Sequence, residues 1–211
     1  MTTTSRTINA VPTPSSTING VPTARDTATD SVALATQTTY KIDPTASRVE
    51  FSIGKRLFFV KKLTVTGHFA DVAGMITLDE QDPTRAWAEA TIGAASIDTG
   101  NGRRDKHLRG TDFFDADGHP TLTFRSRCVE PIDGAAARYR VVGDLTVRGI
   151  TREVTLETHD APAPGTGHDH RVTLTLTGAL NRQDFGIVWS KPVLKIADDL
   201  TVTLTLEATR V

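Results

Sequence analysis

The chain has 211 residues, 38% hydrophobic and 23% charged, an ordinary balance for a globular protein and enough length for one domain with a substantial core. Its 24 Lys and Arg against 25 Asp and Glu leave a net charge of -1, so nothing electrostatic points to nucleic acid or an anionic membrane surface as partner. The single cysteine, Cys128, excludes an intrachain disulfide.

Residues 1–39 are crowded with Thr, Ser, Ala and Pro and carry neither helical nor strand periodicity, which predicts a disordered tail ahead of a domain spanning 40–211. Removing residues 1–38 is therefore expected to leave the melting temperature nearly unchanged. The longest apolar stretches of the tail, such as VALA, are too short for a secretory signal, and no window approaches the roughly 18 apolar residues of a membrane span. As written, the chain is expected to stay in the cytoplasm.

From Arg48 onward the sequence alternates. Val49, Phe51 and Ile53 share one face against Arg48, Glu50 and Ser52, the period-2 signature of a half-buried strand. LFFV at 57–60 reads as a bend or apolar lip, after which Leu63, Val65, Gly67 and Phe69 resume the period, with Gly67 expected at a kink or bulge. MITLD and RAWAEATIGAASI, separated by Asp82-Pro83, continue a meander of hairpins. Residues 98–102 then break the strand pattern. Arg103 to Arg109 lack β-branched residues and predict a short helix stopped by Gly110, with Thr111 capping a second turn through Phe113 and Phe114.

Beyond this helical insertion, near residues 101–116, alternation returns with Leu122 and Phe124, then Tyr139, Val141, Gly143, Leu145 and Val147. Gly149 ends that strand and Val154 and Leu156 begin another; DAPAPGTGHDH is a surface loop. Val172, Leu174 and Leu176 alternate with threonines, as do Val202, Leu204 and Leu206. Many short alternating strands mean an all-β antiparallel barrel or sandwich, and periodicity does not choose between them. Ala and Gly at inward positions 88, 90, 143 and 178 leave room in the interior.

The runs SIDTGN, RRDKHLRGTDFFD and HPTLTFRS, followed by YRVVGDLTVRGITREVTLE and NRQDFG, resemble the YceI-like family of polyisoprenoid-binding proteins. The resemblance extends in one order from Tyr40 to the end of the chain. It implies an antiparallel lipocalin-like β-barrel of about eight strands around an apolar pore, and a non-catalytic protein that binds a polyisoprenoid lipid or isoprenoid quinone without a cofactor. On this basis the candidate ligand-binding residues are Val49, Phe51, Ile53, Phe69, Ile92, Leu122, Phe124, Val141, Leu145, Leu156, Leu174, Leu176, Phe185, Trp189, Leu204 and Leu206. Arg103, Arg104 and Arg109 are the head-group candidates, since a short helix gathers cations that suit an anion. In NRQDFG, Arg182 and Asp184 are expected to pair and order the loop closing the barrel, with Gly186 at a special backbone position and Phe185 and Trp189 capping the pore. A homodimer is left open.

Other constellations have plainer explanations. His168-Asp169-His170 has metal-ligand spacing but no third ligand and sits in a Pro/Gly-rich loop, so no metal is expected. Asp112, Asp115 and Asp117 with His107 form the alternative, enzymatic reading, although tight turns need such residues for local hydrogen bonds anyway. Cys128 has Arg127 beside it, but strand neighbours point to opposite faces. A third reading is a β interaction module with a filled core.

Overall fold

The computed structural model describes residues 37–57, 61–134, 137–159, 170–189 and 194–211. The loop histidine pair's His168 and Asp169, and residues 58–60 of the apolar lip, lie outside these. β1 (Gln37–Ile42) and β2 (Arg48–Leu57) follow one another along the same edge of the last strand, β11 (Leu194–Arg210). Tyr40 to Ile42 pair with Arg210 to Ala208, and Arg48 to Leu57 pair with Thr205 to Leu194. β3 (Lys61–Phe69) and β4 (Val72–Asp79) return antiparallel along β2 and β1, and β5 (Trp87–Gly93) and β6 (Ile97–Asp98) along β4 and β3. Three of the barrel's staves are thus each built from two collinear strands.

β7 (Thr121–Pro131), β8 (Tyr139–Val147), β9 (Ile150–Thr158) and β10 (Arg171–Asn181) complete the circle back to β11. The result is a closed antiparallel barrel of eight staves, with one short α-helix among the described residues. Closure removes the sheet edges that a sandwich leaves exposed. β8 and β9 are joined by Arg148 and Gly149, at φ 52° and 72°, the left-handed pair of a two-residue hairpin that matches strand twist. Among the described residues β9 and β10 pair at only Leu176↔Thr158 and Thr177↔Glu157, whereas β10 and β11 are in register from Arg171↔Thr209 to Asn181↔Asp199.

Several expectations change. β1 begins at Gln37 and Thr38 is buried, so the ordered strand starts three residues before Tyr40, and a truncation that spares the fold has to end before Gln37. In the turn after β1 the Thr45 hydroxyl and then its amide donate to Asp43, which holds that carboxyl below its usual value. Gly67 marks no bulge, since β2 and β3 stay in register through Phe51↔Gly67. A Cβ there would stand 2.6 Å from the Phe51 ring and from the Thr99 methyl, so the glycine makes room for packing across the wall. The register shifts occur instead between Ser126 and Cys128 and between Ile196 and Leu200. The first leaves both Arg127 and Cys128 exposed, so the opposite faces expected from simple alternation do not hold there.

α1 (Gly102–Arg109) forms as expected, with the Asn101 side chain accepting from the Arg104 amide at 3.0 Å and Gly110 ending it. The second helical turn does not form. The amides of Phe113 and Asp115 go to the Gly110 carbonyl, and those of Phe114 and Ala116 reach back to Leu108 and Arg109, so residues 111–114 fold back as a turn that buries Phe113. No helix among the described residues is long and apolar enough to cross a membrane.

Candidate functional site

Alternation along each strand sends one row of side chains into the barrel, and that row surrounds a cavity of about 810 Å³. Its wall is almost wholly apolar, and it runs the length of the barrel: Tyr139, Val141, Leu145 and Val147, from the first to the last residue of β8, all line it. All sixteen residues singled out from the sequence lie on this wall. Ile76, Leu78, Val147, Val154, Leu180 and Val202 line it too and obey the same period, so alternation alone identifies them. Phe113, Phe114 and Ile187 come from turns, where no period exists to find them. An open interior of this size is not the filled core of the third reading.

The inward small residues divide. Ala88 and Ala90 face the cavity, whereas the spaces at Gly143 and Gly178 are taken by Phe124 and Leu156, each 2.6 Å from where a Cβ would be. Room in the barrel therefore comes from the alanines.

α1 and the turn after it lie over one mouth. β6 heads toward that mouth, since Asp98 pairs with His68 after Ile97 pairs with Phe69, and α1 follows directly. Buried Asp105 accepts from the Thr99 amide at 3.1 Å and from the Thr99 hydroxyl. Arg104 donates from Nε to Thr99 Oγ1 at 2.7 Å and from Nη2 to the Thr99 carbonyl at 2.8 Å. Arg109 donates to the carbonyls of Ala95 and Ile97 at 2.7 and 2.8 Å and is not on the cavity wall. Both guanidiniums thus fasten the helix to the strand before it. Arg103 differs: it is exposed, it borders the cavity, and among the described residues it has no hydrogen bond or ion pair.

Aromatic rings narrow the same mouth. His107 meets Phe113 and Trp189 edge-on at centroid distances of 5.0 and 5.6 Å, Phe113 and Trp189 lie 5.5 Å apart, and Phe114 stands edge-on to Phe69 at 5.4 Å. His107 also faces Asp112 at 3.0 Å, and Asp115 lies 3.8 Å from His119. Asp112, Asp115 and Asp117 do not border the cavity, so the carboxylates of the enzymatic reading are not gathered around it. Among the described residues no three His, Cys, Asp or Glu side chains are grouped to hold a metal ion.

Arg182 holds the other side of this same mouth, but not with Asp184, which is exposed. Its guanidinium, 8% exposed with its residue, donates to Asp198 at 2.7 Å, to the Ala197 carbonyl at 3.0 Å and to the Ile187 carbonyl at 2.5 Å. The run Asn181-Arg182-Gln183-Asp184-Phe185 turns because Asn181 accepts from the Gln183 amide and Gly186 takes the left-handed φ of 73°. Phe185 is thereby buried on the cavity wall, with Trp189 half-buried at the mouth.

A sequence profile of the YceI-like domain matches residues 40–208. A UPF0312 protein of Serratia proteamaculans is 34% identical over 148 residues, 68% of this chain and 73% of that protein. The crystal structure of Burkholderia cenocepacia BcnA superposes with a TM-score of 0.66 at 24% identity, covering 80% of this chain and 99% of BcnA. A polyisoprenoid binding domain from Saccharophagus degradans implicated in plant cell wall breakdown superposes with a TM-score of 0.55 at 16% identity, covering 82% and 99%. At those identities the two solved structures attest the fold.

Proposed function

The chain belongs to the YceI-like domain family, and from that premise we propose that it is a non-catalytic binding protein for a long polyisoprenoid, an isoprenoid quinone or prenyl diphosphate, which it carries, stores or sequesters in the barrel. The observation that carries this reading is the continuous apolar cavity. The nine residues of β8, at about 3.3 Å per step, run roughly 26 Å, about 20 Å along the axis of a barrel with strands tilted ~40°, so the cavity is long and narrow, the shape of an extended chain and not of a compact ring. The Saccharophagus domain described as polyisoprenoid-binding shares the fold and supports the same reading.

The energetics need no special chemistry. At about 0.8 kcal/mol per buried methylene, a tail of tens of carbons supplies more than about 10 kcal/mol even after large losses to ordering the ligand. Length and girth of the cavity then select among lipids.

Protein purified from cells is expected to release a prenyl lipid on organic extraction, read by mass spectrometry. Ala90→Phe, which fills the cavity between Gly74 and Phe124, is expected to weaken binding of added quinone by at least about tenfold while shifting the melting temperature by only a few degrees. Repeated extraction without a prenyl lipid, together with no binding of added quinone by the wild type, ends this reading.

A further inference from the structure

The charges on the cavity wall are sorted by end. Lys55, Arg103, Arg104 and Arg182 all border it at the α1 mouth, whereas the opposite end carries buried Asp79, ion-paired with Arg85 at 3.6 Å, with Ser126 and Thr158 as neutral polar groups. Two of the four cations are committed, Arg104 to Thr99 and Arg182 to Asp198 and two carbonyls, and His107 nearby faces Asp112. Lys55 and Arg103 remain, and neither has a hydrogen bond or ion pair among the described residues.

Lys55 is the anomaly of its strand. The inward row of β2 reads Val49, Phe51, Ile53, Lys55, so a cation stands where the alternation calls for an apolar residue. Its cross-strand neighbours are Leu63 on β3 and Ile196 on β11, and neither offers a counter-charge. β2 runs toward α1, so half-buried Lys55 borders the mouth from the strand side while Arg103 borders it from the helix side. A long side chain can lay its methylenes on the apolar wall and hold its charge at the water boundary. Two cations there without acceptors among the described residues lower the potential energy of an anion at the mouth.

We propose that the barrel selects lipids with an anionic head, a phosphate ester or a carboxylate, gripped between Lys55 and Arg103 with the chain running inward toward Asp79. This rests on the binding reading above and adds the class of head group and the ligand's direction. Arg103 is then the one of the three candidate arginines that meets the head, with Lys55 as a partner from a different element.

The test compares farnesyl diphosphate, farnesol and a fatty acid of similar chain length on the full-length wild type and on Lys55→Gln/Arg103→Gln. The wild type is expected to bind the anions at least about tenfold more tightly than the alcohol, since charge-assisted contacts are strong, and to lose that preference as salt rises. The double variant is expected to bind all three as weakly as the wild type binds farnesol, with farnesol affinity and melting temperature unchanged. The two anion arms separate a diphosphate from a carboxylate source. Equal wild-type affinity for alcohol and anions, or equal losses for all three in the variant, overturns the proposal and leaves the carrier reading standing. No binding of any of the three overturns the proposal, and the carrier reading is then decided by the extraction and quinone measurements above.

Discussion

Arg182→Leu is expected to lower the melting temperature by roughly 6–12 °C and to loosen the Arg182–Trp189 rim. Three donors leave at once: one from Asp198, one from the Ala197 carbonyl and one from the Ile187 carbonyl. A buried polar group stripped of its partner costs about 1–3 kcal/mol, and removing one member of a buried ion pair about 3–5. The lower figure applies, because the Asp198 side chain is 47% exposed and water replaces part of what it loses. About 3 kcal/mol at roughly 2–4 °C per kcal/mol for a domain of this size gives the stated shift. Arg182→Lys is expected to fall between the two, since one ammonium cannot reproduce a planar fork reaching three acceptors. A Leu variant melting within a degree of the wild type would show that these contacts hold only the rim.

Leu174→Asp is the second large effect, expected to cost several kcal/mol and to abolish lipid binding. Leu174 is 8% exposed and borders the cavity, so an ionised carboxylate there has neither bulk water nor a cation beside it. Burial disfavours the charged form, so the carboxyl's folded pKa rises above its unfolded value near 3.9. The folded state then holds more protons than the unfolded one, and the variant loses stability as pH rises from about 4 to the raised pKa, beyond which the loss is constant. Thr201→Asp, on the exposed face beside Ser52 and Ala179, is the control and is expected to stay within about 1 kcal/mol. A Thr201→Asp variant that melts well below Leu174→Asp would mean that the faces of β10 and β11 are the reverse of those described.

The strands, their inward faces and the place of the helix were legible in the amino-acid sequence because they rest on local rules. Side chains alternate across a strand whatever it pairs with, so Val49 to Ile53, Leu174 to Leu176 and Leu204 to Leu206 declare their cavity face without a partner in view. Asn101 and Gly110 bracket α1 for equally local reasons, and the motif run from Tyr40 onward identified the family. Local rules stop at contacts between distant residues. Barrel closure depends on β11 lending one edge to both β1 and β2, some 150 residues earlier in the chain. Arg182 chooses Asp198, 16 residues away, over Asp184, because β11 passes beside it and Asp184 faces solvent. Arg103, Arg104 and Arg109 look alike in one short basic run, and only the docking of α1 on β6 gives Thr99, Ala95 and Ile97 to two of them and the cavity mouth to the third. The physical reason is the same in each case: a hydrogen bond or an ion pair is made with whatever tertiary packing brings within about 3 Å, and packing is a property of the whole chain.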